Sequence, residues 1–226
     1  DDSALGTLPP LEGDPPEELP MAQLNTLSQL ASYRRQIVVR YALPEQPERA
    51  LYVVTDAANQ VSPLDMDEDT LEHTTVAFLE GSQRTERVQF VWIGEGRYWA
   101  DLERTWQQLD YGPADYIDQS AFVEQTVAGL GYAFLFADNM WPFLDQGQTR
   151  FAGVDQVNGM TLWRYVADAN QLNGAVQGLD EFTQGQIIAW VDPENAVIIR
   201  VEGDLTNPAA DGGPAMLTFV MELAQV

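Results

Sequence analysis

The sequence predicts an α+β protein: a large curved antiparallel sheet, an open half-barrel of about 10–11 strands, with helices packed on its concave face. Three observations predict it. Short stretches alternate apolar and polar residues with the period of a half-buried strand. The connectors between them are of hairpin length and rich in Gly, Asn and Asp. Two stretches instead space their apolar residues three or four apart, as a helix face does.

The elements follow in chain order. Residues 1–20 hold five Pro (9, 10, 15, 16 and 20) and six acids. They lack a periodic apolar face, so an extended, solvated tether is expected. A chain that opens on Asp1 with such a stretch suits an exported product whose signal peptide has been removed. Residues 21–226 are then expected to form one domain. Met21, Leu24, Leu27, Leu30 and Ala31 share a face of a short amphipathic helix. Tyr33–Tyr41 alternates Tyr33, Ile37, Val39 and Tyr41 against Arg34, Gln36 and Arg40, a long strand. Strands are also expected at 50–55, 74–79, 86–93, 97–102 and 105–109, in an antiparallel meander. Val88, Phe90 and Trp92 share one face there, and Tyr98, Ala100 and Leu102 another.

At Gly112-Pro113 the pattern changes to helical spacing over 114–130, with Pro at the start and Gly129 and Gly131 at the end. Residues 131–146 are densely apolar, and Pro142 argues against one continuous helix. Strands return at 151–157 and 160–167 around Asn158-Gly159, a strong hairpin signal. A short helical piece is expected over 168–178. Strands at 186–191, 197–203 and 216–223 complete the count.

Composition excludes several functions. Thirty-five acids face 11 basic residues, a net charge of -24. Every basic residue is Arg. That field repels phosphate backbones, so nucleic acid is not an expected partner. The chain has no Cys, hence no disulfide framework and no thiol nucleophile. No apolar run reaches the roughly 18 residues that a membrane-spanning helix needs. Beyond that filter, charge speaks to solubility before it speaks to fold.

Catalytic motifs are missing from the sequence: there is no GxSxG, HExxH, Walker A or GxGxxG. His73, the one His, follows an acidic loop and reads as a surface residue, unless a Ser or Thr lies in reach of it. Asp65, Asp67 and Asp69 begin like a calcium loop. Its sixth position, however, is Thr70 instead of Gly and its twelfth is Val76 instead of an acid, so an EF-hand is rejected. No enzyme activity, cofactor or metal site is expected. The informative feature is the apolar excess of the middle segment. Its Phe, Met and Trp side chains either pack as ordinary core, the reading the residues alone favour, or line a cavity between sheet and helices.

Four phrases, taken in order, resemble the LolA/LolB-like lipoprotein-carrier superfamily, and within it the LppX/LprG-type extracytoplasmic lipoproteins. They are LNTLSQLASYRRQIVVRY (24–41), RVQFVWIGEGRYWADLERTWQQL (87–109), VDQVNGMTLWRYVAD (154–168) and IIAWVDPENAVIIRVEGDL (187–205). The resemblance implies an exported, membrane-tethered lipoprotein that binds or transports a lipid or lipid-modified ligand in a hydrophobic cavity. It implies extracytoplasmic placement, periplasmic or at the cell surface, through an N-terminal lipid anchor; this chain has no Cys to carry one. A monomer is expected, with envelope proteins as further partners. The expected liners are Ile37, Val39, Phe90, Trp92 and Tyr98 on the sheet, with Phe122, Phe134, Phe136, Met140, Trp141 and Phe143 from the middle segment. The alternative is a structural or sensory envelope module with a filled core that recognises a protein partner, as MucB/RseB-type regulators do.

Overall fold

A computed structural model describes residues 8–43, 49–59, 70–80, 83–93, 96–100, 106–108, 149–171, 181–210 and 213–224. Among them are eleven strands: β1 (Ser32–Ala42), β2 (Arg49–Asn59), β3 (Thr70–Glu80), β4 (Gln83–Ile93), β5 (Gly96–Ala100), β6 (Trp106–Gln108), β7 (Arg150–Val157), β8 (Met160–Asp168), β9 (Gln184–Asp192), β10 (Val197–Asn207) and β11 (Ala215–Ala224). Each coincides with a stretch expected as a strand, and most run longer than that expectation. They form one antiparallel sheet in the order β6-β5-β4-β3-β2-β1-β11-β10-β9-β8-β7. Two meanders therefore meet where β1 pairs with β11, and β6 and β7 are the edges.

The two faces differ in chemistry along single register rows. One row runs Phe151–Tyr165–Ala189–Val201–Met221–Ile37–Val53–Val76–Val88, from β7 to β4, and every member is apolar or aromatic. Tyr165, Ala189, Val201, Met221, Ile37 and Val53 are buried in one core cluster, with Phe151 packed against it. The neighbouring row, on the other face, runs Arg164–Trp190–Arg200–Glu222–Gln36. Its polar groups bond to one another. The Trp190 indole donates to Asp155 Oδ2 at 2.9 Å, and Arg164 pairs with the same oxygen at 3.3 Å. Arg200 lies over the Trp190 ring, 5.8 Å from its centroid, and pairs with Glu202 and Glu222. Alternation of this kind is what a sheet with one buried face requires.

The α+β reading is corrected here. Among the described residues there is no α-helix, only 3₁₀ turns at Met21–Gln23, Leu27–Gln29 and Ala169–Gln171. The helix expected over 114–130 and the densely apolar stretch 131–146 lie outside the described residues. The first expected helix fails for a physical reason. Spacings of three suit the three-residue turn of a 3₁₀ helix as well as an α-helix, and Asn25 between the two turns is bound elsewhere. The Asn25 N–H donates to Ala196 O at 2.6 Å, and its Nδ2 donates to Asn195 O at 2.7 Å. Its Oδ1 accepts from the Leu8 N–H at 2.6 Å. These bonds replace the intrahelical ladder. Gln29 Oε1 accepts from the Thr26 N–H at 2.8 Å and caps the second turn.

The N-terminal stretch expected to be a solvated tether lies, over residues 8–20, against the sheet. The Leu11 N–H donates to Pro193 O at 2.8 Å, in the β9–β10 turn. Glu17 O accepts from the Phe151 N–H at 2.7 Å, and the Leu19 N–H donates to Thr149 Oγ1 at 2.9 Å. Leu19, Leu24, Leu27 and Leu30 join the core cluster. This strap therefore covers part of the apolar face where helices were expected.

The Asn158-Gly159 hairpin turn is present, with φ of 53° and 85° at the two residues, the left-handed pair that a type I′ turn needs. Gly203 serves packing. A Cβ there would stand 2.2 Å from Phe219 Cε1, and Phe219 is buried opposite it.

Two stability predictions follow from these contacts. Gly203→Ala should destabilise the fold by about 2–3 kcal/mol through overpacking, seen as a lower urea midpoint at unchanged slope. Asn25→Ala leaves the Leu8 N–H and Asn195 O without their partner. It should cost about 1–3 kcal/mol in the same titration.

Candidate functional site

The apolar face is the candidate site, and β1 runs through its centre. Ile37 and Val39 are both fully buried on it. Ile37 lies between Met221 and Val53 in register, and Val39 between Phe219 and Leu51. Phe90 stands opposite Thr74 on β3 and Trp92 opposite Glu72. Thr74 and Glu72 pair in turn with Thr55 and Ala57 of β2, the register parity of the buried Val53. Phe90 and Trp92 thus keep the parity of the apolar row. Tyr98 stands opposite Val91, whereas Trp99 stands opposite Phe90. By register Trp99, not Tyr98, continues the Phe90 line. Phe122, Phe134, Phe136, Met140, Trp141 and Phe143 lie outside the described residues. The structure therefore brings Ile37 and Val39 into one core, aligns Phe90 and Trp92 with it by register, and places Tyr98 on the alternate parity.

Sequence reading left two features of this face unassigned. Arg35 is 1% exposed, in register between Leu223 and Thr55. A guanidinium buried so deeply needs acceptors around it. Its parity with Tyr33 and Ile37 was the available signal. The second is the strap. At its β7 end the Tyr165 hydroxyl donates to Pro16 O at 3.3 Å, and the Phe151 and Tyr165 rings meet edge-on with centroids 5.7 Å apart. Burial pushes the Tyr165 hydroxyl up to about 12. At the other side of the cluster, Phe182 packs edge-on against Tyr41, centroids 6.4 Å apart.

His73 does not belong to this face. It lies on β3 opposite Asp56, which pairs with Arg34 at 3.4 Å. Its Nε2 contacts Gln89 Oε1 at 3.4 Å. The partner is an amide, so this contact does not activate a nucleophile. Among the described residues no three His, Asp or Glu side chains converge as metal ligands. Asp65, Asp67 and Asp69 lie outside them. No described helix is long and apolar enough to cross a membrane.

No protein-family profile matches the sequence, and no curated protein matches it. Solved structures do. The chain is similar to a LolA superfamily protein from Nitrosomonas europaea, at 9% identity over 86% of this chain and 84% of that one, TM-score 0.29. It is similar to the lipoprotein LppX of Mycobacterium tuberculosis, at 12% identity over 85% of each chain, TM-score 0.34. It is also similar to an outer membrane lipoprotein-sorting protein domain from Vibrio parahaemolyticus, at 9% identity over 86% of this chain and 84% of that one, TM-score 0.28.

The strap contact carries a pH prediction. The Tyr165 hydroxyl is raised above the unfolded value of 10.0. Its contribution to stability is therefore complete below pH 10 and is lost as pH rises towards about 12. Urea midpoints should fall across that window. Tyr165→Phe should lower stability by about 1 kcal/mol at pH 7 through the lost Pro16 bond and should flatten the fall above pH 10.

Proposed function

We propose that this chain is a non-enzymatic, extracytoplasmic binding protein that takes a lipid or lipid-modified ligand against the apolar face of its sheet. The observation that carries this reading is the apolar register row that crosses nine strands from Phe151 to Val88. Each methylene of an acyl chain laid on it contributes about 0.8 kcal/mol. The strap is bonded along the β7–β10 part of the face, so an acyl chain would reach the row from the β1–β6 part. Attachment to a membrane through a lipid at the N-terminal side and the sorting or carriage of lipids belong to the same reading, supported by the four phrases quoted above.

One observation favours a second reading, an envelope module with a filled core that recognises a protein. Ile37 and Val39 are both 0% exposed, as they would be if the face were already closed. A single experiment separates the two. Native mass spectrometry of protein purified from its own host should show a bound lipid mass, and a fluorescent acyl probe should bind saturably and be displaced by that lipid. Absence of both, with the protein folded, would overturn the lipid-binding reading and leave the filled core.

A further inference from the structure

The β7–β8 hairpin tip differs from the rest of the described surface. Residues 156–161, QVNGMT, carry no charge in a chain of net -24. Four large apolar side chains are strongly exposed among the described residues, and three sit on this hairpin: Val154 at 50%, Val157 at 40% and Met160 at 39%. Val157 and Met160 are a register pair flanking the turn, so they present one apolar edge. The tip is preorganised. Asn158 and Gly159 hold the left-handed pair of φ values, and Gln156 Nε2 donates to Thr161 Oγ1 at 2.8 Å across it.

A second observation says what the tip faces. Trp163 of β8 pairs with Val191 of β9, so the β7–β8 and β9–β10 turns lie at the same end of the sheet. The N-terminal strap enters at that end too. The Leu8 N–H is bound by Asn25, which is itself bonded to Asn195 and Ala196, and the Leu11 N–H is bound by Pro193. Three residues of β8 precede Trp163, so about 10 Å of hairpin extends beyond Val191. Any anchor on the N-terminal side of Leu8 would hold this end of the sheet towards the bilayer. Of the titratable groups near that end, Glu12, Asp14 and Glu194 are exposed acids, Asp192 is buried in its turn, and the cation Arg164 is paired with Asp155. The exposed acids disfavour an anionic surface.

We propose that the Val157–Met160 tip docks into the interfacial region of a zwitterionic phospholipid surface. The proposal shares the membrane setting of the function above but not its ligand. The experiment reads the two apart.

The chain has no Cys, so Met160→Cys accepts one environment-sensitive fluorophore. Asp168→Cys, at the far end of β8, is the control. Each labelled full chain is held by an N-terminal histidine tag on phosphatidylcholine vesicles carrying a nickel-chelating lipid. The probe at 160 should shift to the blue and be quenched by bilayer-embedded quencher lipids, while the probe at 168 stays water-like. Val157→Asp in the 160-labelled chain should cut the inserted fraction about tenfold at equal tethering. Replacing part of the phosphatidylcholine by phosphatidylglycerol should weaken insertion at low salt, with recovery at about 0.5 M salt. A water-like probe at 160, equal shifts at both positions, or stronger insertion on the anionic lipid would each overturn the proposal. None of these readouts depends on acyl-probe binding, so a failed ligand assay leaves the test intact.

Discussion

β1 and β11 pair through nine register positions, from Arg34–Ala224 to Ala42–Met216. Every other strand reaches the core through that seam, because each meander is built outward from it. The paired residues come from near the two ends of the described chain, so their closure is a long-range event with a large loop-closure cost. What offsets the cost is apolar burial on the seam itself. Ile37, Val39, Leu217, Phe219 and Met221 are each at most 1% exposed. The Phe219 ring lies where a Cβ on Gly203 would be, so β10 is fitted to the seam by the absence of a side chain.

The seam also separates the two kinds of chemistry in the sheet. On its inner side, one register row is apolar or aromatic from β7 to β4. On its outer side, few arginines are spent with economy. Arg200 stacks on Trp190 while pairing with Glu202 and Glu222, which a planar guanidinium does better than an ammonium group. Arg34 answers Asp56, and Arg164 answers Asp155. Such half-exposed pairs contribute little stability individually. Their effect is to neutralise the strand surface locally, so that a chain with this excess of acid can still bring its strands together. Off the strands, exposed acid is carried by Glu12, Asp14, Glu17 and Glu18 of the strap and by Glu194 in the β9–β10 turn.

Strand positions were legible in the sequence because period-two alternation is local, and the Asn158-Gly159 turn because its φ values are a property of those two residues. Features that depend on remote partners were not. Leucines at 24, 27 and 30 have a spacing that fits an α-helix or a 3₁₀ turn, and only the bonds of Asn25 to Asn195 and Ala196 decide between them. Arg35 interrupts an apolar strand face, and alternation alone does not say how a buried guanidinium is satisfied. Tyr98 was grouped with Phe90 and Trp92 from separate strands, but relative parity across a hairpin is fixed by loop register. At the candidate site, then, the alternation that puts Ile37 and Val39 in the core was readable, and the strap was not.

The strap shows why a composition that suggests disorder can produce order. Its inward residues are Leu8, Leu11, Pro15 and Leu19, while Glu12, Asp14, Glu17 and Glu18 are all exposed. Proline has no N–H to leave unsatisfied when a segment without regular structure is laid on a core. It also narrows the unfolded ensemble, so pinning the segment costs less conformational entropy. The few groups that need partners find them: the amides of Leu11 and Leu19 donate to Pro193 O and Thr149 Oγ1, and the carbonyls of Pro16 and Glu17 accept from Tyr165 and Phe151. Glu17 O takes the Phe151 N–H on the β7 edge, where a bare edge would otherwise invite pairing with another chain. An acidic, Pro-rich stretch is thus suited to this position: its leucines complete the core, its prolines stiffen the path, and its charges stay in water.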